Sequence, residues 1–71
     1  MLWKQITTMN FSDPVSGDEA YVSVRTYAGA VGLTLSLRQD GDAEVFFGRG
    51  ECEALIAALQ QGLADLQSDQ P

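Results

Sequence analysis

Apolar and polar positions alternate with a period of two through the middle of the chain. From Tyr21 to Tyr27, Val22, Val24 and Thr26 alternate with Tyr21, Ser23, Arg25 and Tyr27. From Val31 to Arg38, Val31, Leu33, Leu35 and Leu37 alternate with Gly32, Thr34, Ser36 and Arg38. Side chains of a strand point to opposite faces in turn, so this period predicts two half-buried strands. Ala28-Gly29-Ala30 supplies the turn between them, and Gln39-Asp40-Gly41 leads into a further strand, Ala43-Glu44-Val45-Phe46-Phe47. Ahead of these, Leu2 to Phe11 is rich in Ile, Thr, Trp and Phe, which predicts a strand although its alternation is poor. The cluster Ser12-Asp13-Pro14-Val15-Ser16-Gly17-Asp18 predicts a loop, because Pro fixes φ while Gly and Asp tolerate unusual values.

Parity sets the length of the last turn, since a slip of one residue sends every side chain to the other face. A two-residue Asp40-Gly41 turn would set Leu37 opposite Glu44, a carboxylate on the leucine face. A three-residue loop, Gln39-Asp40-Gly41 with Gly41 left-handed, would pair Leu35 with Val45, Leu33 with Phe47 and Arg38 with Asp42. The second arrangement is expected.

The period changes after Gly50. Cys52, Leu55, Ile56, Leu59, Leu63 and Leu66 recur at spacings of three and four, and Glu51 and Glu53 lie in the first turn, where the helix dipole favours them. A helix from about Glu51 to Gln67 is predicted. Its apolar stripe should pack on the leucine face, giving an α+β domain of four antiparallel strands in a meander with one C-terminal helix packed on one face (ββββα). The chain of 71 residues then forms one small domain over 1–71, with a polar tail at 67–71.

An apolar content of 45% with 20% charged residues suffices for a core. So short a chain buries little, however, and a homodimer is expected to supply the remainder. Cys52 is the one cysteine and there is no His, which excludes an internal disulfide and a Cys-cluster zinc site. The N-terminal residues lack the apolar core of a signal peptide and no run of about 18 apolar residues occurs, so a cytoplasmic location without membrane attachment is expected.

Ten Asp and Glu stand against four Lys and Arg, a net charge of −6 that opposes binding to nucleic acid or an anionic membrane. In a meander, alternate loops share one end of the sheet. Asp13, Asp18 and Glu19 are thereby placed beside Asp40, Asp42 and Glu44, and a helix returning across the sheet would add Asp65 and Asp69. Such an acidic pole could mimic a nucleic-acid backbone and occupy the basic channel of a nuclease or DNA-binding protein, as phage inhibitors of restriction or CRISPR systems do. Acidic turn residues also serve solubility alone.

The spacing Asp40-Asp42-Glu44-Glu51 resembles a calcium loop, but Val45 stands where that loop needs Gly, and strand rather than helix precedes it. No metal is expected. Cys52 lies on the apolar stripe between two glutamates, with no His to serve as a base, and is read as a buried, inert thiol. Neither a Ser/His nor a Cys/His pair, a phosphate loop or an apolar carboxylate dyad is present, so no enzyme activity and no cofactor are expected.

With the helix on the leucine face, Tyr21, Arg25, Tyr27 and Phe46 on the opposite face would lack cover. That face is the candidate protein-binding surface, since Tyr and Arg are frequent anchors of interfaces. The expected function is that of a protein-binding module, homodimeric, which occupies a partner's surface. In outline the element order resembles the transcriptional-coactivator and Whirly type of single-stranded DNA binder, in which dimers present curved sheets to the strand. That resemblance implies nucleic-acid stacking on Trp3, Tyr21, Tyr27 and Phe46. Those sheets are basic, whereas here Lys4, Arg25, Arg38 and Arg49 are outnumbered by carboxylates.

Overall fold

A computed structural model describes residues 3–68. Met1, Leu2 and most of the expected polar tail, Asp69 to Pro71, lie outside the described residues. Four strands, β1 (Trp3–Ser12), β2 (Glu19–Tyr27), β3 (Ala30–Leu37) and β4 (Gly41–Phe47), form one antiparallel sheet in the order β1-β2-β3-β4, and α1 (Arg49–Ser68) follows. This is the expected ββββα architecture.

Cross-strand partners share a face of the sheet. The pairs Ala20 with Leu37, Val22 with Leu35 and Val24 with Leu33, continued by Leu35 with Ala43 and Leu33 with Val45, make the leucine face. Tyr21 with Ser36, Ser23 with Thr34, Arg25 with Gly32, and Gly32 with Phe46 make the polar face. The poor alternation of β1 has a local cause. Gln5 pairs with Arg25 and Thr7 with Val24, so Ile6 is an extra residue, a β-bulge that resets the phase of the strand. Beyond the bulge Met9 and Phe11 join the leucine face opposite Val22 and Ala20, while Gln5 before it and Thr8 after it serve the polar face.

Three turns set the register. Asp13 closes the first loop: its Oδ1 accepts the N–H of Val15 (2.8 Å) and of Ser16 (3.1 Å), and its carbonyl accepts the N–H of Gly17 (2.8 Å). The second is a two-residue turn, Ala28-Gly29, between paired Tyr27 and Ala30. Both of its residues have positive φ (51° and 82°), the twist a tight hairpin requires. The third has three residues, as expected, and Gly41 is left-handed (φ 82°). The loop is Arg38-Gln39-Asp40, however, one residue earlier than predicted. The Asp40 N–H donates to the Leu37 carbonyl (3.1 Å), and Gly41 itself pairs with Leu37. The register therefore differs by two: Leu35 meets Ala43 rather than Val45, and Leu33 meets Val45 rather than Phe47. Parity, and with it the face of every side chain, is as predicted, because a shift of two preserves it. Arg38, expected opposite Asp42, instead bridges to Glu19 (Nη1 to Oε2, 2.8 Å).

The helix begins directly after Gly48, whose carbonyl accepts the Cys52 N–H (2.9 Å). It meets β3 and β4 near its N-terminal end, where Cys52 and Ile56 border a hollow with Gly29 and Val31. Beyond that the stripe leaves the sheet, and Leu59, Leu63 and Leu66 are 61–65% exposed. The radius of gyration is 14.1 Å, whereas a compact chain of this length has about 11 Å. Among the described residues the one buried hydrophobic side chain is Ala20, while Met9, Phe11, Leu35 and Val45 on the leucine face are 44–54% exposed. No described helix is long and apolar enough to cross a membrane.

Candidate binding faces

The polar face is built from local side-chain contacts. Gln5 Nε2 donates to Ser23 Oγ (2.7 Å) and Thr8 Oγ1 (3.2 Å), tying the edge strand to β2 and satisfying the buried Ser23. One strand further, Arg25 Nη2 lies 2.8 Å from Glu44 Oε2, and Thr34 Oγ1, also buried, donates to the same carboxylate oxygen (3.1 Å). Ser36 Oγ donates to Asp42 Oδ1 (2.6 Å). Arg25 Nε is buried without a partner.

Three of the four residues predicted as the protein-binding face come together. The Phe46 ring lies over Gly32, so close that a Cβ there would be 2.7 Å from Phe46 Cε2 and 3.3 Å from Arg25 Cγ. Tyr27 meets that ring with centroids 6.2 Å apart and planes tilted by 58°, an edge-biased contact. Tyr21 is apart from the group, six residues along β2 from Tyr27 and so about 20 Å away. The choice of this face rested on the helix covering the opposite one. The exposures reverse that premise, because the larger uncovered apolar surface is the leucine face.

No family model, no curated protein and no solved structure matches the chain.

Part of the expected acidic pole, Asp13, Asp40 and Asp42, comes together at one end of the sheet. Asp13, Asp40 and Asp42 border an open concavity of about 400 Å³ whose floor includes Phe11, Ala20, Val22, Leu35, Leu37 and Ala43. Most of these carboxylates also have structural work. Asp13 holds its loop, and the two N–H groups of Ser16 and Val15 keep its carboxyl below the usual aspartate value of 3.8. Glu19 is bound to Arg38, Glu44 to Arg25 and Asp42 to Ser36. Asp18 and Asp40 lie in the first and third loops. Asp65 accepts a bond from Gln61 within the helix (2.8 Å), and because the leucines around it are exposed, the helix does not return it to the loop end. Asp69 lies outside the described residues.

No group of three or more His, Cys, Asp or Glu among the described residues could hold a metal ion. Trp3, named for base stacking, is half-exposed on the edge strand opposite Tyr27. Cys52 is half-buried at the helix start rather than fully enclosed. The feature missed from sequence is the bare leucine face. Its signal was the lone glycine between Phe47 and Arg49, which gives the helix little chain in which to turn back.

Proposed function

We propose that the protein is a non-enzymatic protein-binding module whose leucine face is covered by another polypeptide. One observation carries this reading: a sheet face bearing Met9, Phe11, Leu35 and Val45 stands about half exposed while, among the described residues, almost nothing apolar is buried. Exposed contiguous apolar surface of this kind is characteristic of interaction sites. In the assembly the leucine face is the contact, and the opposite face, with Tyr21, Arg25, Tyr27 and Phe46, is what the assembly presents outward.

Leu35→Glu tests the reading, since it puts a charge in the middle of the face without touching the hydrogen bonds of the polar side. Hydrogen exchange of β3 amides in the full chain should accelerate in this variant, and the complex observed by size-exclusion chromatography with light scattering should dissociate. Unchanged mass and unchanged exchange would refute it.

A second reading is supported by the acidic rim of the concavity at Asp13, Asp40 and Asp42. In it the acidic end engages a basic protein, such as a nuclease or DNA-binding protein, in place of nucleic acid. Asp40→Lys with Asp42→Lys should then abolish a salt-sensitive association, whereas an interaction unaltered by both substitutions would dismiss it.

A further inference from the structure

Resting on the reading that another polypeptide covers the leucine face, we infer that this polypeptide is the helix of a second copy of the chain, so that two copies exchange helices about a two-fold axis. The chain carries both halves of the contact and joins neither. One half is the sheet face of Met9, Phe11, Val22, Val24, Leu33, Leu35 and Val45; the other is the stripe of Ile56, Leu59, Leu63 and Leu66 on α1, 51–65% exposed.

The chain's own helix is held at the end of the sheet. A single residue, Gly48, separates β4 from α1, and the first turns are seated against Gly29 and Val31. Dimensions favour the exchange: twenty helical residues extend about 30 Å, and the nine residues of β2 about the same.

The area agrees. The chain exposes 5714 Å², whereas a compact monomer of 7.7 kDa exposes about 4,300 Å². The excess of about 1,400 Å² on each of two chains amounts to about 2,800 Å², within the range of obligate homodimers. Helix exchange uses each surface once per copy and closes the assembly, whereas a head-to-tail arrangement would leave one sheet and one helix bare. No ionisable residue stands among the seven sheet positions named above, and the carboxylates that rim this face, Asp13, Asp40 and Asp42, border its loop end.

The experiment is isotope-filtered NMR on an equal mixture of labelled and unlabelled full-length chain, with the mass measured by light scattering. The expected result is twice the chain mass, with contacts between chains that join the methyls of Leu59 and Leu63 to those of Leu35 and Val45. Leu63→Glu and Leu35→Glu should each weaken the dimer by about 100-fold or more, because each puts a carboxylate in an apolar contact. Mixing the two variants should restore a dimer, since one helix-to-sheet junction is then intact. A dimer whose contacts between chains are only sheet to sheet would overturn the exchange and leave the binding reading in place, and one joined only helix to helix, with the leucine face still bare, would overturn both. A monomer with a solvent-accessible leucine face would overturn the second copy and point to a foreign polypeptide. A monomer with α1 folded onto its own leucine face would overturn both.

Discussion

Gly32 lies mid-strand in β3 beneath the Phe46 ring, and its substitution by Ala gives a test in which two opposing effects can be separated. An added Cβ would be 2.7 Å from Phe46 Cε2, 3.1 Å from Cδ2 and 3.3 Å from Arg25 Cγ. The ring must move, which weakens its contact with Tyr27 and strains the neighbouring Arg25, and overpacking of this kind costs about 1–3 kcal/mol. Replacing a strand glycine recovers about 0.5–1 kcal/mol through the reduced freedom of the unfolded chain. The net expectation for Gly32→Ala is a loss of up to about 2.5 kcal/mol. In a Phe46→Ala background the ring contacts are gone and only the approach to Arg25 Cγ at 3.3 Å opposes the second effect, so the same substitution should stabilise by up to about 1 kcal/mol. The sign inverts between backgrounds. Urea denaturation of the four members of this cycle, at one fixed protein concentration because association shifts apparent stability, reads the coupling directly. If Gly32→Ala has the same sign and size with and without Phe46, the ring does not occupy the space above Gly32 in solution and the account of the polar face is refuted.

Glu44→Ala removes the acceptor shared by Arg25 and the buried Thr34. With the ion pair about one-third exposed, a loss of about 1–2 kcal/mol is expected. An unchanged denaturation midpoint would show the pair to be incidental. For Asp13, the carboxyl value is depressed in the folded chain, so its contribution is present above the ordinary value of 3.8 and is lost as pH falls through the lower folded value. Wild type should lose stability relative to Asp13→Asn over that acid range, and an NMR titration midpoint for Asp13 at or above 3.8 would contradict the loop geometry. Ala28 holds a left-handed φ of 51° in the second turn, and Ala28→Asn should stabilise the hairpin by about 1 kcal/mol. A lower thermal midpoint for that variant would argue against this turn.

The elements themselves were legible because each rests on short-range chemistry. Alternation in Tyr21–Tyr27 and Val31–Arg38 marks strands wherever the rest of the chain lies, and the three-and-four spacing from Cys52 to Leu66 marks a helix. The left-handed conformation of Gly41 was expected because glycine adopts it without cost, although Gly41 pairs with Leu37 just beyond the three-residue loop instead of lying within it. The bulge at Ile6 could be sensed as broken alternation, though not placed, because a bulge is defined by the partner strand. The register of the last hairpin was missed by two for a related reason: parity fixes which face a residue occupies, while the choice between registers two apart depends on where the turn hydrogen bond closes.

Of the candidate sites, the sequence determined their chemistry and the tertiary structure their availability. Arg25, Tyr27 and Phe46 were placed on one face by period two, but that they satisfy one another around Gly32 depends on three strands meeting. The acidic loops were placed at one end by the meander alone, yet which carboxylates are tied to Arg25, Arg38, Ser36 or their own loop depends on side-chain geometry. Above all, an apolar stripe states that a helix must be covered without saying by what. The direction in which α1 leaves Gly48 is a property of the folded sheet, and it leaves both the leucines of the sheet and those of the helix uncovered by the other described residues.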